Sequence, residues 1–134
     1  MLRSCSCVIA LAVMLVGSPT AQAADTTLTL ACKGTSTFKV KGTAKTEPLQ
    51  IGIVVDLANR TIRGLLLDMS ETVPINDFTD LRIEFGGAHA SGSLSASMYG
   101  SLDRVTGDYS ATEFYRNGAS VEYSMKCRPA QRMF

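Results

Sequence analysis

Apolar and polar side chains alternate at every second position through most of this 134-residue chain. Successive side chains of a β-strand point to opposite faces, so this pattern is typical of strands with one buried face. The clearest run covers 49–57 and places on one face Leu49, Ile51, Ile53, Val55 and Leu57. No segment after residue 24 repeats its apolar residues at helical spacing. The sequence therefore predicts an all-β domain.

Shorter alternating runs follow the same rule, at 26–32, 35–41, 61–67, 80–85, 93–102, 108–115 and 119–127. Glycine breaks strand patterns, so Gly34 is expected to interrupt the first strand and Gly86-Gly87 to end the run 80–85, in which Leu81, Ile83 and Phe85 are expected to face inward. The segment Asp68 to Thr79 contains Pro74 and is expected to form a long loop or a short edge strand.

Tight turns are indicated at Ala58-Asn59-Arg60, at 103–107 and at Asn117-Gly118. Asn59-Arg60-Thr61 also fits the N-glycosylation sequon. We interpret Asn59 as a turn residue, because asparagine tolerates a left-handed backbone. Seven to eight strands joined by such turns predict a single antiparallel up-and-down barrel or meander, with a two-sheet β-sandwich as the alternative.

The first 23 residues have the three parts of a signal peptide: Arg3, an apolar run from Val8 to Gly17, and Ala21-Gln22-Ala23 before the cut. We expect residues 24–134 to form one β domain that is periplasmic or secreted. The apolar run is about half the length that crosses a bilayer, so no membrane anchor is expected after processing. Outer-membrane strands often end on Phe and have apolar residues at every second position before it. The positions before Phe134 do not fit this pattern, because they include Lys126, Arg128 and Arg132.

Of the four cysteines, Cys5 and Cys7 lie in the signal peptide, which leaves Cys32 and Cys127. An even number of cysteines in an exported domain predicts a disulfide. Both residues lie on the apolar faces of their strands, so the bridge is expected to tie the first strand to the last.

The chain carries 13 Lys and Arg against 12 Asp and Glu, and removal of Arg3 makes the mature domain neutral. Nucleic acid as a partner is not expected, because it requires a clustered cationic surface. The lysines near the mature start are interpreted as a solvated strand or loop; they are Lys33, Lys39, Lys41 and Lys45. No cofactor is expected.

The one histidine, His89, lies in a Gly/Ala/Ser segment and is expected to be an exposed loop residue. A triad of His89 with Ser91 or Ser93 and Asp103 can be written down, but no Gly-x-Ser-x-Gly elbow is present, so no catalytic residues are expected. No metal is expected either, because there is no second histidine, and Asp103 and Asp108 fit turn chemistry better than a calcium loop.

Glu113 is the one carboxylate that shares a strand face with aromatic residues, namely Tyr109 and Tyr115. If that face lines the barrel, the three residues form a polar cluster directed at a ligand. If the face is external, which is the interpretation that we favour, they form a cross-strand ladder on the surface. Tyr109, Glu113 and Tyr115 are therefore the candidate ligand-binding residues.

Four segments carry a resemblance: Leu28–Gly34, Val55–Thr61, Leu102–Gly107 and Lys126–Phe134. On these the chain resembles a group of small exported proteins of soil-dwelling alphaproteobacteria with no established function. The resemblance implies a bacterial source and transfers no residue role. A looser similarity, in size, export and disulfide-tied β architecture, is to bacterial inhibitors of lysozyme, whose Ser-Gly-x-Arg-Tyr loop is absent here.

We expect a non-enzymatic exported barrel that binds a small apolar molecule or a protein partner. The first alternative is an inhibitor or interaction module of the cell envelope that acts through the segment Asp68 to Thr79. The second is an envelope hydrolase that depends on His89.

Overall fold

A computed structural model of the chain describes residues 26–64, 72–91 and 94–130. Eight antiparallel strands follow one another around a closed barrel in the order of the sequence, and β1 pairs with β8 to close it. The strands are β1 (Thr27–Val40), β2 (Thr43–Asp56), β3 (Thr61–Arg63), β4 (Thr72–Phe78), β5 (Arg82–Ser91), β6 (Leu94–Asp103), β7 (Asp108–Tyr115) and β8 (Ser120–Pro129). The predicted up-and-down barrel is confirmed, and the two-sheet sandwich is not the architecture found.

The disulfide joins Cys32 and Cys127, which lie directly opposite each other in the β1–β8 ladder. The two residues are 95 positions apart in the sequence. A bridge that closes so long a loop removes chain entropy worth about 4–5 kcal/mol from the unfolded state. A disulfide is also compatible with an oxidising compartment outside the cytoplasm.

Most of the barrel interior is filled by apolar side chains from all eight strands. The largest that are fully buried are Phe85, Ile53, Ile62, Ile83, Met98, Val55 and Val73. Each contributes about 1.5–3 kcal/mol by leaving water. Phe85 also stacks on Tyr109, with ring centroids 5.6 Å apart. This part of the interior is a packed core.

Gly34 does not interrupt the first strand, because β1 runs unbroken from Thr27 to Val40. A methyl group on Gly34 would overlap the carbonyl oxygen of Ser124 and lie 2.6 Å from the Cα of Met125. The glycine therefore allows β8 to approach β1 closely. A pattern of side chains cannot distinguish this use of glycine from a strand break.

Gly86-Gly87 likewise does not end its strand, since β5 continues to Ser91. A methyl group on Gly86 would lie 2.7 Å from the carbonyl oxygen of Met98, so this glycine also serves close packing. At the other end of the run, the inward prediction for Leu81 is wrong. Leu81 precedes β5 in the turn after β4 and is 64% exposed.

Residues 72–78 form the regular strand β4 and not the predicted loop or short edge piece. Val73 and Ile75 bury their side chains, and Pro74 lies between them opposite Thr61. The β4–β5 register shifts between Ile75 and Asp77, so the regular pairing is interrupted close to Pro74. Residues 65–71 lie outside the described part of the chain.

The predicted turns are confirmed, with one difference of detail. The backbone N–H of Asn59 donates to Asp56, but Arg60 is the residue with a left-handed backbone (φ 53°). In the turn after β6, the carboxylate of Asp103 accepts hydrogen bonds from two backbone N–H groups at 2.7–2.8 Å. The Asn117-Gly118 hairpin closes with Gly118 at φ 81°.

The two ends of the barrel differ. The start of β1, the end of β8 and the turns 57–60, 79–81 and 104–107 lie at one end, here called the terminal end. The turns 41–42 and 116–119 lie at the other, here called the hairpin end. Lysines 33, 39, 41 and 45, all on or next to β1 and β2, are exposed, as expected of a solvated surface.

The two ladders of β2 differ in length. Within the described residues, β2 pairs with β3 only at Val54–Asp56, although it pairs with β1 along its whole length. Along the rest of β2 no described residue pairs on that side, and this part of the strand carries Pro48 and an exposed ion pair of Lys45 with Glu47 (2.6 Å). Proline and charge on an edge discourage pairing with another chain.

Candidate functional site

Glu113 lies inside the barrel. The inner face of β7 carries Tyr109, Ala111 and Glu113, all almost completely buried, so the inner-face alternative is the one found. Glu113 is 2% exposed and is the one buried charged residue among those described. A carboxylate in such a position needs hydrogen bonds that compensate for lost water.

His89 supplies the first of these hydrogen bonds. Its Nε2 lies 2.9 Å from Oε1 of Glu113, and its side chain is 5% exposed. The prediction of an exposed loop histidine is therefore wrong. Because β5 continues through Gly86-Gly87, alternation from Phe85 carries His89 to the inner face.

Tyr123 supplies the second hydrogen bond: its hydroxyl donates to Oε2 of Glu113 at 3.0 Å. His89, Glu113 and Tyr123, from β5, β7 and β8, together form what is here called the polar network. Sequence reasoning placed Tyr123 on the same face as Met125 and Cys127 but did not connect it with Glu113. The strand register was the missing information, since it sets Tyr123 opposite Ala111, two residues from Glu113 on the same inner face.

The two tyrosines near Glu113 are held in their neutral form. Burial, and after it the charge of Glu113, raises the pKa of Tyr109 and that of Tyr123 well above the usual value for tyrosine. Both phenols therefore keep their protons at neutral pH. For Tyr123 this maintains the hydroxyl as a donor to the carboxylate.

The three predicted ligand-binding residues are brought to the same inner face, but at different depths. Tyr109 lies in the packed core against Phe85. Tyr115 is half-buried and shares its level of the barrel with His89, because Ala96 pairs with both. Glu113 lies between them.

One atom of the polar network has no partner. Nδ1 of His89 is buried and makes no hydrogen bond within the described structure. His89 pairs with Ala96, whereas Glu113 pairs with Met98, so His89 lies one residue pair nearer the hairpin end. The network thus presents an unsatisfied nitrogen on its outermost member. A buried polar atom without a partner costs about 1–3 kcal/mol.

The inner face near the hairpin end is incompletely covered. Leu49, Ile51 and Val121 point inward but are only half-buried, and Phe38 is 44% exposed. Deeper along β2, Ile53 and Val55 are fully buried. Leu49 and Ile51 pack against the core, as the half-buried Leu28 and Leu30 do toward the terminal end. Val121, opposite Glu113, and Phe38, opposite Val121, extend this inner face into a partly exposed apolar surface. This surface, formed by Phe38, Leu49, Ile51 and Val121, is here called the apolar mouth.

A hydrolytic triad is not assembled. Asp103 lies in a turn at the terminal end, where backbone N–H groups occupy its carboxylate, and His89 lies toward the hairpin end. In the described part of the chain, no three His, Cys, Asp or Glu residues come together as metal ligands would. The described residues also contain no helix of the length and apolarity that crossing a bilayer requires.

Comparisons with protein-family models, with curated proteins and with solved structures give no match to this chain. The site is therefore interpreted from its own geometry.

Proposed function

We propose that this protein is an exported, non-enzymatic β-barrel, periplasmic or secreted, that binds a small, largely apolar molecule at the apolar mouth. One observation carries the proposal: inward-facing apolar side chains of β1, β2 and β8 stay half-exposed although the strands belong to a closed barrel. Burying such side chains in a ligand contact releases free energy in proportion to the area covered, about 25 cal/mol per Å².

The rest of the geometry supports the same function. Eight-stranded barrels have interiors wide enough either to be filled by side chains or to hold one small ligand. Here buried apolar side chains form a packed core, half-buried Leu28, Leu30 and Leu57 pack against it toward the terminal end, and the apolar mouth lies toward the hairpin end. A few polar groups beside an apolar surface are the usual composition of a small-molecule site.

Titration with a neutral apolar fluorophore such as N-phenyl-1-naphthylamine tests the proposal. We expect saturable binding to the disulfide-bonded domain, which Ile51→Trp abolishes by filling the mouth. Gln50→Trp is the matched control, because Gln50 is the exposed neighbour on the outer face of the same strand. Val121→Trp is a second blocking variant on β8, should Ile51→Trp fail to fold. Absence of saturable binding, or equal binding by the blocked and control variants, contradicts the proposal.

A protein partner is the second candidate function, and a feature of the terminal end favours it. Leu81 and Val105 are 64% and 73% exposed, and their turns are joined by a hydrogen bond from the N–H of Arg104 to the carbonyl oxygen of Leu81. Large apolar side chains exposed on adjacent turns are typical of contact surfaces. Capture of an envelope protein that Leu81→Ser and Val105→Ser together remove, while fluorophore binding persists, would support this function.

A further inference from the structure

The polar network sets a requirement on any molecule that reaches it. Each oxygen of Glu113 has a hydrogen-bond partner: Oε2 accepts from the hydroxyl of Tyr123, and Oε1 shares a proton with Nε2 of His89. What remains is Nδ1 of His89. When the shared proton is on Nε2 and the ring is neutral, Nδ1 accepts a hydrogen bond. When the ring is charged, or when the carboxyl holds the shared proton, Nδ1 carries a hydrogen and donates one.

A hydroxyl group fits both cases, because it is one donor and two acceptor lone pairs on a single atom. A carboxylate can only accept, and an ammonium group can only donate. Unlike either ion, a hydroxyl group therefore satisfies Nδ1 whatever the protonation of the network.

Charge points to the same head group. Glu113 is the one buried charged side chain in the described structure, and no buried lysine or arginine accompanies it. The cation on the inner face toward the hairpin end, Lys45, is already paired with Glu47 and is largely in water. On the outer side, Lys39 is paired with Glu122 at 2.6 Å.

An anionic head group at Nδ1 would meet the carboxylate of Glu113 without a free cation to balance it. A cationic head group would compete with His89 and Tyr123 for the same carboxylate and would lose its own hydration. The cost of burying an ion without compensation is several kcal/mol. An uncharged head group avoids both costs.

We infer that the ligand of this barrel is an uncharged amphipathic alcohol, with its apolar body against the apolar mouth and its hydroxyl group on Nδ1 of His89. The inference rests on the proposed function, since it assigns the ligand class of the same site. His89 then acts as the residue that selects the head group, and Glu113 and Tyr123 hold its ring in place.

Displacement of the bound fluorophore by three ten-carbon chains tests the inference: 1-decanol, decanoate and decylammonium, at pH 7.5. We expect 1-decanol to displace the fluorophore at a concentration at least about tenfold lower than either ion. In His89→Phe, we expect 1-decanol to lose about tenfold in affinity, equivalent to 1.4 kcal/mol, and the fluorophore to keep its affinity.

Each outcome separates the two levels of the proposal. If the fluorophore binds but decanoate or decylammonium displaces it as well as 1-decanol does, the ligand class is wrong and the proposed function stands. If 1-decanol binds His89→Phe as tightly as the parent protein, the role of His89 is wrong. If the fluorophore does not bind the parent protein, the proposed function itself fails. Head-group selectivity of the parent protein tests the charge argument even if His89→Phe does not fold.

Discussion

Gly34→Ala is expected to destabilise the barrel strongly, although it adds a single methyl group in the middle of a strand. The methyl carbon would overlap the carbonyl oxygen of Ser124 and lie 2.6 Å from the Cα of Met125. Both are backbone atoms of β8, so no side chain can move aside, and β1 must separate from β8 at the closure of the barrel. Overpacking costs about 1–3 kcal/mol where side chains can adjust. We expect at least about 3 kcal/mol here, because ladder hydrogen bonds worth about 1 kcal/mol each weaken as well.

Gly52→Ala is the matched control, because Gly52 is also an interior glycine of a long strand. Its added methyl group would have as its nearest neighbour the carbonyl oxygen of Leu30 at 3.8 Å, which is an ordinary contact. Replacing glycine in an unstrained strand restricts the unfolded chain, so we expect a change of less than about 1 kcal/mol in the stabilising direction.

Urea unfolding of the oxidised protein, followed by far-ultraviolet circular dichroism, measures both variants. The expected difference between them exceeds about 3 kcal/mol, or roughly 12 °C in Tm for a domain of this size. If Gly34→Ala and Gly52→Ala unfold within about 0.5 kcal/mol of each other, the close approach of β8 to β1 is not what the glycine serves, and this account of barrel closure is wrong.

Three further predictions concern the core and the polar network. Glu113→Leu is expected to cost about 2–4 kcal/mol by urea unfolding, because it leaves the hydroxyl of Tyr123 and Nε2 of His89 without their partner, whereas Glu122→Leu, which removes an exposed ion pair on β8, should cost less than about 1 kcal/mol. The contribution of Tyr109 and Tyr123 to the free energy of unfolding should be fully present below about pH 10 and should fall as the pH rises further, because the unfolded chain loses their phenolic protons before the folded chain does. Urea unfolding should therefore give a lower free energy at about pH 11 than at about pH 9. Replacing the disulfide by two alanines should cost about 4–5 kcal/mol, and alkylation of the denatured, unreduced parent protein should label neither of its two bridged cysteines.

Alternation in the sequence was enough to predict the barrel and most of its core. Leu49, Ile51, Ile53 and Val55 are on one face of β2, as the pattern requires, and the bridged cysteines are on the inner faces of β1 and β8. Period-two patterns succeed here because each strand has a buried and a solvated face, so a shift of one residue would invert both.

Most of the errors share a cause, which is the use of glycine and proline as breaks; the inward prediction for Leu81 is the exception. Gly34, Gly86 and Pro74 all lie within regular strands, where they allow neighbouring backbones to approach or fit a shift in register. Their effect depends on which strand lies beside them, and a single sequence does not contain that information. The wrong prediction for His89 has the same origin. If the strand is assumed to end at Gly87, alternation cannot assign the residues after it to the inner or the outer face.

The candidate site was predicted in part for the same reason. Glu113 and its tyrosines were found because they alternate along one strand. The polar network was not found, because its members come from three strands and meet only through the register of the ladders. Contacts between strands depend on pairing, which turn lengths restrict but do not determine.

The composition of the network is itself an argument for binding over stability. Apolar side chains of similar size at these three positions would leave no buried charge to compensate, and such replacements are often neutral or stabilising. A network kept only for structure is expected to pair all of its polar atoms, as Glu113 does with both oxygens. The network in this barrel instead leaves Nδ1 of His89 unpaired, on the member of the network that lies nearest the hairpin end. A molecule that brings the missing hydrogen bond explains both the location and the deficit, whereas a stabilising role explains neither.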